Sequence, residues 1–83
     1  MTSVVTLYGR HGCHLCEEAK TALLEICRRG ARFELEEVDI EGDEQLQRTM
    51  LELIPVIDVN GRRVCELIFD MDAVLAGLDT VSA

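Results

Sequence analysis

The chain has no tryptophan, one tyrosine, two phenylalanines and a single proline in 83 residues. With 4% aromatics, any core must be aliphatic, and the 48% of hydrophobic residues suffices for one. Cations are scarce too. Eight Lys and Arg stand against sixteen Asp and Glu, a formal net charge of -8. Such a chain repels phosphate backbones and anionic membrane surfaces, so neither nucleic acid nor a membrane is expected as a partner. No apolar run is long enough to span a bilayer. The start, Met1-Thr2-Ser3-Val4, lacks the basic residues and apolar stretch of a secretory signal, and the expectation is a cytoplasmic chain. Repeats, linkers and low-complexity segments are absent. The length suits one domain, residues 1–83.

What the chain does have is periodic structure and four cysteines. Val4-Val5-Thr6-Leu7-Tyr8 is a β-branched run stopped by Gly9 and reads as a strand buried on both faces. After the loop Gly9 to Gly12, a helix is predicted from about His14 to Arg29. Its apolar face is Leu15, Ala19, Ala22, Leu23 and Ile26. Glu17 and Glu18 in the first turn, and Arg28 and Arg29 in the last, suit the helix dipole, and Gly30 marks the stop. Phe33 to Ile40 predicts a second strand. Its alternation slips between Leu35 and Val38, which predicts an irregularity or early end there.

Asp43 is an N-cap candidate for a second helix, with Leu46, Met50 and Leu53 on its apolar face up to Ile54. Pro55 forbids continuation and opens the strand Val56 to Val59. Asn60-Gly61 signals a hairpin, with Arg62 to Ile68 returning antiparallel. Asp70 or Asp72 caps a last helix carrying Met71, Val74, Leu75 and Leu78 on one face, and residues 80–83 are expected to fray. The order β-α-β-α-β-β-α predicts an α/β fold, a four-stranded mixed sheet flanked by three helices.

The chemistry concentrates in Cys13-His14-Leu15-Cys16. Two thiols three positions apart at a helix start can close into a disulfide and reopen. A CxxC near a β-α-β pattern is a redox or metal-binding signal. The nucleophile in such exchange is the thiolate, whereas a free cysteine titrates near ~8.5 and is mostly protonated at neutral pH. The positive end of the helix, with Arg10, His11 and His14, favours a Cys13 thiolate, and Glu17 and Glu18 oppose it. Cys13 is expected to attack a substrate disulfide; Cys16, one turn on and core-facing, then attacks the Cys13 sulfur and releases the product. Cys27 lies roughly 16 Å further along the helix at ~1.5 Å per residue, too far to bridge. It reads as a core-edge residue, and Cys65 as packing.

Tyr8-Gly9-Arg10-His11-Gly12-Cys13-His14-Leu15-Cys16, Ile54-Pro55-Val56 and Asn60-Gly61, in that order and spacing, resemble the thioredoxin superfamily and, within it, glutaredoxins. The nearest likeness is to small bacterial glutaredoxin-like proteins with a C-x-L-C motif. The resemblance implies a thioredoxin-like fold and disulfide oxidoreductase activity with no bound cofactor. It implies a cis peptide bond at Pro55 facing the dithiol, and the backbone of Ile54 pairing with substrate. It places Arg10 where glutaredoxins hold a glutathione carboxylate. Arg10, His14, Ile54 and Pro55 are thus the candidate substrate-binding residues beside the catalytic pair Cys13 and Cys16.

The sequence departs from the pattern at Cys65-Glu66-Leu67-Ile68-Phe69-Asp70-Met71-Asp72, where glutaredoxins carry a Gly-Gly turn followed by acidic residues that binds the glutamyl end of glutathione; no Gly-Gly is present, and only Asp70 or Asp72 could serve. Bulky residues there oppose close backbone approach. The co-substrate is therefore open between glutathione and a disulfide-containing protein, with a reductase as electron donor and the chain a monomer. Two other readings stay open: a metal or iron–sulfur binder through the CxxC, and a non-catalytic binding module.

Overall fold

The computed structural model describes residues 2–82. The elements are β1 (Ser3–Gly9), α1 (His14–Arg28), β2 (Phe33–Asp39), α2 (Glu44–Met50), β3 (Val56–Val59), β4 (Arg62–Glu66) and α3 (Met71–Ser82), with a 3-10 turn at Ile40–Gly42 before α2. They form a four-stranded sheet in the order β2-β1-β3-β4. β1 pairs parallel with β2, and the β1–β3 and β3–β4 pairs are antiparallel. The predicted mixed sheet with three helices is the one observed.

Strand alternation sorts the core into two. On one face Val5, Leu7, Ile57, Val59 and Cys65 meet Ala19 and Leu23 of α1 and Val74 of α3. A second cluster joins Cys16, Ile40, Met50, Ile54 and Val56. Leu23, Ile40, Ile57 and Val5 are almost wholly buried, each contributing about 1.5–3 kcal/mol relative to exposure. β1 is an inner strand, as is β3, but only one of its faces is fully buried; Val4, Thr6 and Tyr8 on the other are half-covered. The expected burial of both faces is corrected accordingly.

β2 runs without a break, from Ser3↔Phe33 to Gly9↔Asp39, so the predicted irregularity is absent. Its phase slip has another cause. Glu37 occupies the same face as Leu35 at the sheet's border, where Lys20 of α1 meets it at 3.2 Å. The sheet's actual irregularity lies between β3 and β4. Ile57 pairs with Cys65 but Asp58 with Arg63, which leaves Val64 as the extra residue of a bulge. Val64 and Cys65 thereby both pack into the first cluster.

The remaining boundaries differ modestly. α1 ends at Arg28, closed by Gly30 N donating to Cys27 O at 3.1 Å and Ala31 N to Ile26 O at 3.2 Å, the bonding pattern of a Schellman stop. Asp43 caps α2 as predicted, its Oδ1 accepting from Gln45 N at 2.8 Å and Leu46 N at 3.1 Å. α2 stops at Met50 rather than Ile54, because the chain must turn to present Pro55 to β3. β4 ends at Glu66, since Leu67 adopts a φ of 66° that no strand continues through. Asp70 caps α3, its Oδ1 accepting from Ala73 N at 3.1 Å. The helix is bounded by Met71 and Ser82, and residue 83 lies outside the described residues. Leu15, Met71 and Leu75, predicted on core-facing stripes, are exposed at 48%, 43% and 41%.

The Asn60-Gly61 turn takes φ values of 51° and 84°, the paired positive angles that match a tight hairpin to strand twist and that glycine and asparagine tolerate best. No helix among the described residues is long and apolar enough to cross a membrane.

Candidate active site

β1 ends at Gly9, and the chain reverses over Arg10 to Gly12, with Cys13 N donating to Arg10 O at 3.3 Å. That loop delivers Cys13 to the N-cap of α1, in extended conformation (φ -87°, ψ 108°). The usual cap is a side-chain oxygen that accepts an orphan amide. Here the Cys13 sulfur does so, accepting from Cys16 N at 3.2 Å. Cys13 and Cys16 are joined as a disulfide, with their Cα atoms 5.2 Å apart. Cys13 is half-buried and Cys16 is 6% exposed. One sulfur is thus reachable and the other shielded.

The other predicted site residues gather near this pair to differing degrees. The Ile54–Pro55 bond is cis. Ile54 shares the apolar cluster of Cys16, against which Cys13 and Tyr8 pack. The Ile54 amide donates to Met50 O at 3.0 Å, so that donor is already engaged within the chain. Pro55 is fully buried, and its carbonyl accepts from Leu67 N at 2.9 Å.

Arg10 and His11 are exposed and line a cavity of about 290 Å³ with Cys16, Lys20, Glu37 and Asp39, on the β2 side of the dithiol. His14 turns the other way, its Nε2 3.7 Å from Glu18 Oε1 on the flank of α1. The three bases flanking Cys13 therefore do not converge on its sulfur from one direction. Among the described residues no three His, Cys, Asp or Glu side chains gather where they could hold a metal ion.

The sequence marks the turn of Leu67 and Ile68 only as lacking the Gly-Gly of glutaredoxins, not as supplying site residues of its own. Leu67 and Ile68 lie in the β4–α3 turn, 47% and 74% exposed, and line a cavity with Leu15, the third residue of the CxxC. Leu67 N donates to both Leu53 O (2.8 Å) and Pro55 O (2.9 Å), which ties this turn to the proline loop. The one available signal was two bulky apolar residues placed in a turn. Cys65, read as packing, is buried at 5%, and its Sγ donates to Asp70 O at 3.6 Å. Burial pushes its thiol above its ordinary value, helped by the nearby Asp70 charge and opposed by the backbone hydrogen bond. Cys27 is half-buried and, like Cys65, unpaired with another cysteine.

The family model for the glutaredoxin-like domain (DUF836) matches residues 4–79, taking in the dithiol, the proline loop and both helix-flanked faces. The chain belongs to that family. Among solved structures, this glutaredoxin-like chain is similar to protein Ne2328 of Nitrosomonas europaea, with 35% identity over 92% of this chain and 91% of that one and a TM-score of 0.75. It is likewise similar to the structural genomics target XcR50 of X. campestris, at 36% identity over 92% and 96% of the two chains, TM-score 0.70. The thioredoxin of Plasmodium falciparum matches at 16% identity over 98% of this chain and 82% of its own, TM-score 0.61, which shows the thioredoxin-like fold. No curated protein matches the chain. A Cys13–Cys16 pair at disulfide distance on a thioredoxin-like, glutaredoxin-like fold fits a redox function.

Proposed function

We propose that the chain is a thiol–disulfide oxidoreductase that reduces disulfides through Cys13 and Cys16. The observation that carries this is the Cys13 sulfur acting as the cap of α1, accepting the Cys16 amide hydrogen at 3.2 Å. In the reduced protein the same position sets a thiolate against unsatisfied amides at the positive end of a helix, which stabilises the anion.

The Cys13 thiolate attacks one sulfur of a substrate R–S–S–R′. A Cys13–S–S–R bond forms and R′S⁻ leaves, taking up a proton from solvent. The shielded Cys16 thiol loses its proton and attacks the Cys13 sulfur. RS⁻ departs and is protonated, and the Cys13–Cys16 disulfide closes. The dithiol has then given two electrons to the substrate, and an external thiol or dithiol reductant restores it. The Ile54 carbonyl beside Pro55 offers the substrate backbone an acceptor, and Arg10 and His14 flank the reacting sulfur. Two free thiols, Cys27 and Cys65, suit a reducing compartment such as the cytoplasm.

The test is stoichiometric reduction of hydroxyethyl disulfide by the reduced protein, followed by mass spectrometry. Cys13→Ser is expected to abolish the reaction, and Cys16→Ser to stop it at a mixed disulfide on Cys13. A Cys13→Ser variant that reduces the probe as fast as the parent overturns the proposal.

A further inference from the structure

We infer that the groove between α1 and the β4–α3 turn is the docking site of a cationic polypeptide segment whose cysteine is flanked by apolar residues. This rests on the oxidoreductase reading and names its substrate class.

The groove adjoins the dithiol through the two residues between the cysteines, His14 and Leu15. They line its two adjoining cavities. Leu15 lines one of about 300 Å³ with Leu67, Ile68 and Phe69. His14 lines the other, of about 600 Å³, with Ala22 and Met71. Glu18 borders both. Leu15, Leu67, Ile68 and Met71, all exposed, thus line the two cavities as an apolar strip. Strips of this kind, rimmed by polar residues, mark interaction surfaces.

Charge selects the occupant. The carboxylates bordering the two cavities are Glu17, Glu18 and Glu25, and no lysine or arginine lines either among the described residues. Glu25 is already held by Arg28 and Arg29. Glu18 borders both cavities, with the exposed His14 ring 3.7 Å away, and Glu17 borders the larger one while its other side faces the cavity of Arg10, His11 and Lys20. A segment carrying Lys or Arg complements this rim, and an acidic one is repelled.

The backbone argues the same way. A small anionic ligand would need amide donors at the β4–α3 turn. The Leu67 amide is spent on Leu53 O and Pro55 O, and the Ile68 amide on Glu66 O at 2.6 Å. The turn therefore offers aliphatic side chains where an anion site would offer N–H groups. That disfavours glutathione disulfide, an acidic peptide, at this position.

The test separates docking from chemistry. Peptides with serine in place of the reactive cysteine are titrated into the protein and followed by amide NMR shifts. One carries Leu and Lys flanks, a second Leu and Glu flanks. The basic peptide is expected to bind at least about tenfold more tightly than the acidic one. It should shift Leu15, Ile68 and Met71, and weaken as salt rises from about 50 to about 500 mM. Ile68→Ser should weaken the basic peptide by about tenfold, and Glu18→Lys should erase the preference. Equal binding of the two peptides, or an Ile68→Ser variant that binds as the parent does, overturns the inference. Hydroxyethyl disulfide, too small and neutral to use the groove, reports on the oxidoreductase reading alone.

Discussion

A methyl group at Gly9 would stand 3.0 Å from Cys16 Cβ and 3.1 Å from Cys16 Sγ. The end of β1 and the shielded sulfur are therefore packed to the limit, and only a residue without a side chain fits between them. Gly9→Ala must push Cys16 aside. Overpacking of this kind costs about 1–3 kcal/mol, enough to slow a step that depends on that sulfur's position by about tenfold or more. The expected outcome is a slow closing step with an initial Cys13 attack within about twofold of the parent. Quenched-flow trapping of the mixed disulfide reads both steps.

Asn60 and Val4 hold each other reciprocally. Asn60 N donates to Val4 O at 2.8 Å, and Val4 N donates to Asn60 Oδ1 at 2.9 Å. Asn60→Ala loses the side-chain bond and puts an alanine at positive φ, together about 2 kcal/mol. Asn60→Gly removes the backbone penalty and should cost about half as much. Urea denaturation midpoints check the order, with unchanged m-values.

The bulge that leaves Val64 unpaired sets Arg63 opposite Asp58, at 3.6 Å from Nε to Oδ1. That Asp58 oxygen is buried without a hydrogen-bond partner, so the guanidinium is its main compensation. Removing one partner of such a pair leaves an unpaired charge. Arg63→Ala should destabilise by about 1–2 kcal/mol after allowance for the partial exposure of Arg63, and Arg62→Ala by less than about 0.5. Thermal unfolding at low and high salt distinguishes the two.

Cys65 supplies a pH-dependent prediction. Its folded-state thiol is raised above its ordinary value, chiefly by burial. The unfolded chain therefore releases this proton first. Stability from Cys65 is fully present below the ordinary thiol value and is lost as pH rises through the folded value. Cys65→Val should lose less stability than the parent between neutral and alkaline pH, measured by denaturation under reducing conditions.

Much of this was legible in the residues, for reasons that can be named. Val4 to Gly9, the Gly12 turn and the helix that follows Cys13 place two thiols at a helix mouth on spacing alone. Asn60-Gly61 announces its hairpin by the backbone angles it tolerates. The cis bond at Pro55 was accessible only through the family resemblance, because an isolated X–Pro sequence favours trans. Leu15 falls at helical spacing with Ala19 and Leu23. It sits in the first turn, however, beside the β4–α3 turn rather than under the sheet, and periodicity cannot tell those neighbours apart. Leu67 was equally hidden. Its left-handed backbone is imposed by two hydrogen bonds to a loop distant in sequence, and nothing local in Glu66-Leu67-Ile68 announces it. The slip in β2 misled for a related reason, since the partner of Glu37 is a lysine on another element.

The border formed by β2 has a last consequence. An outer strand presents half its amides and carbonyls to any passing chain and invites it to extend the sheet. Here Glu34, Glu36, Glu37 and Asp39 stand along that rim. A second copy approaching rim to rim would press carboxylates against carboxylates, so the ribbon of open backbone is guarded by its own side chains.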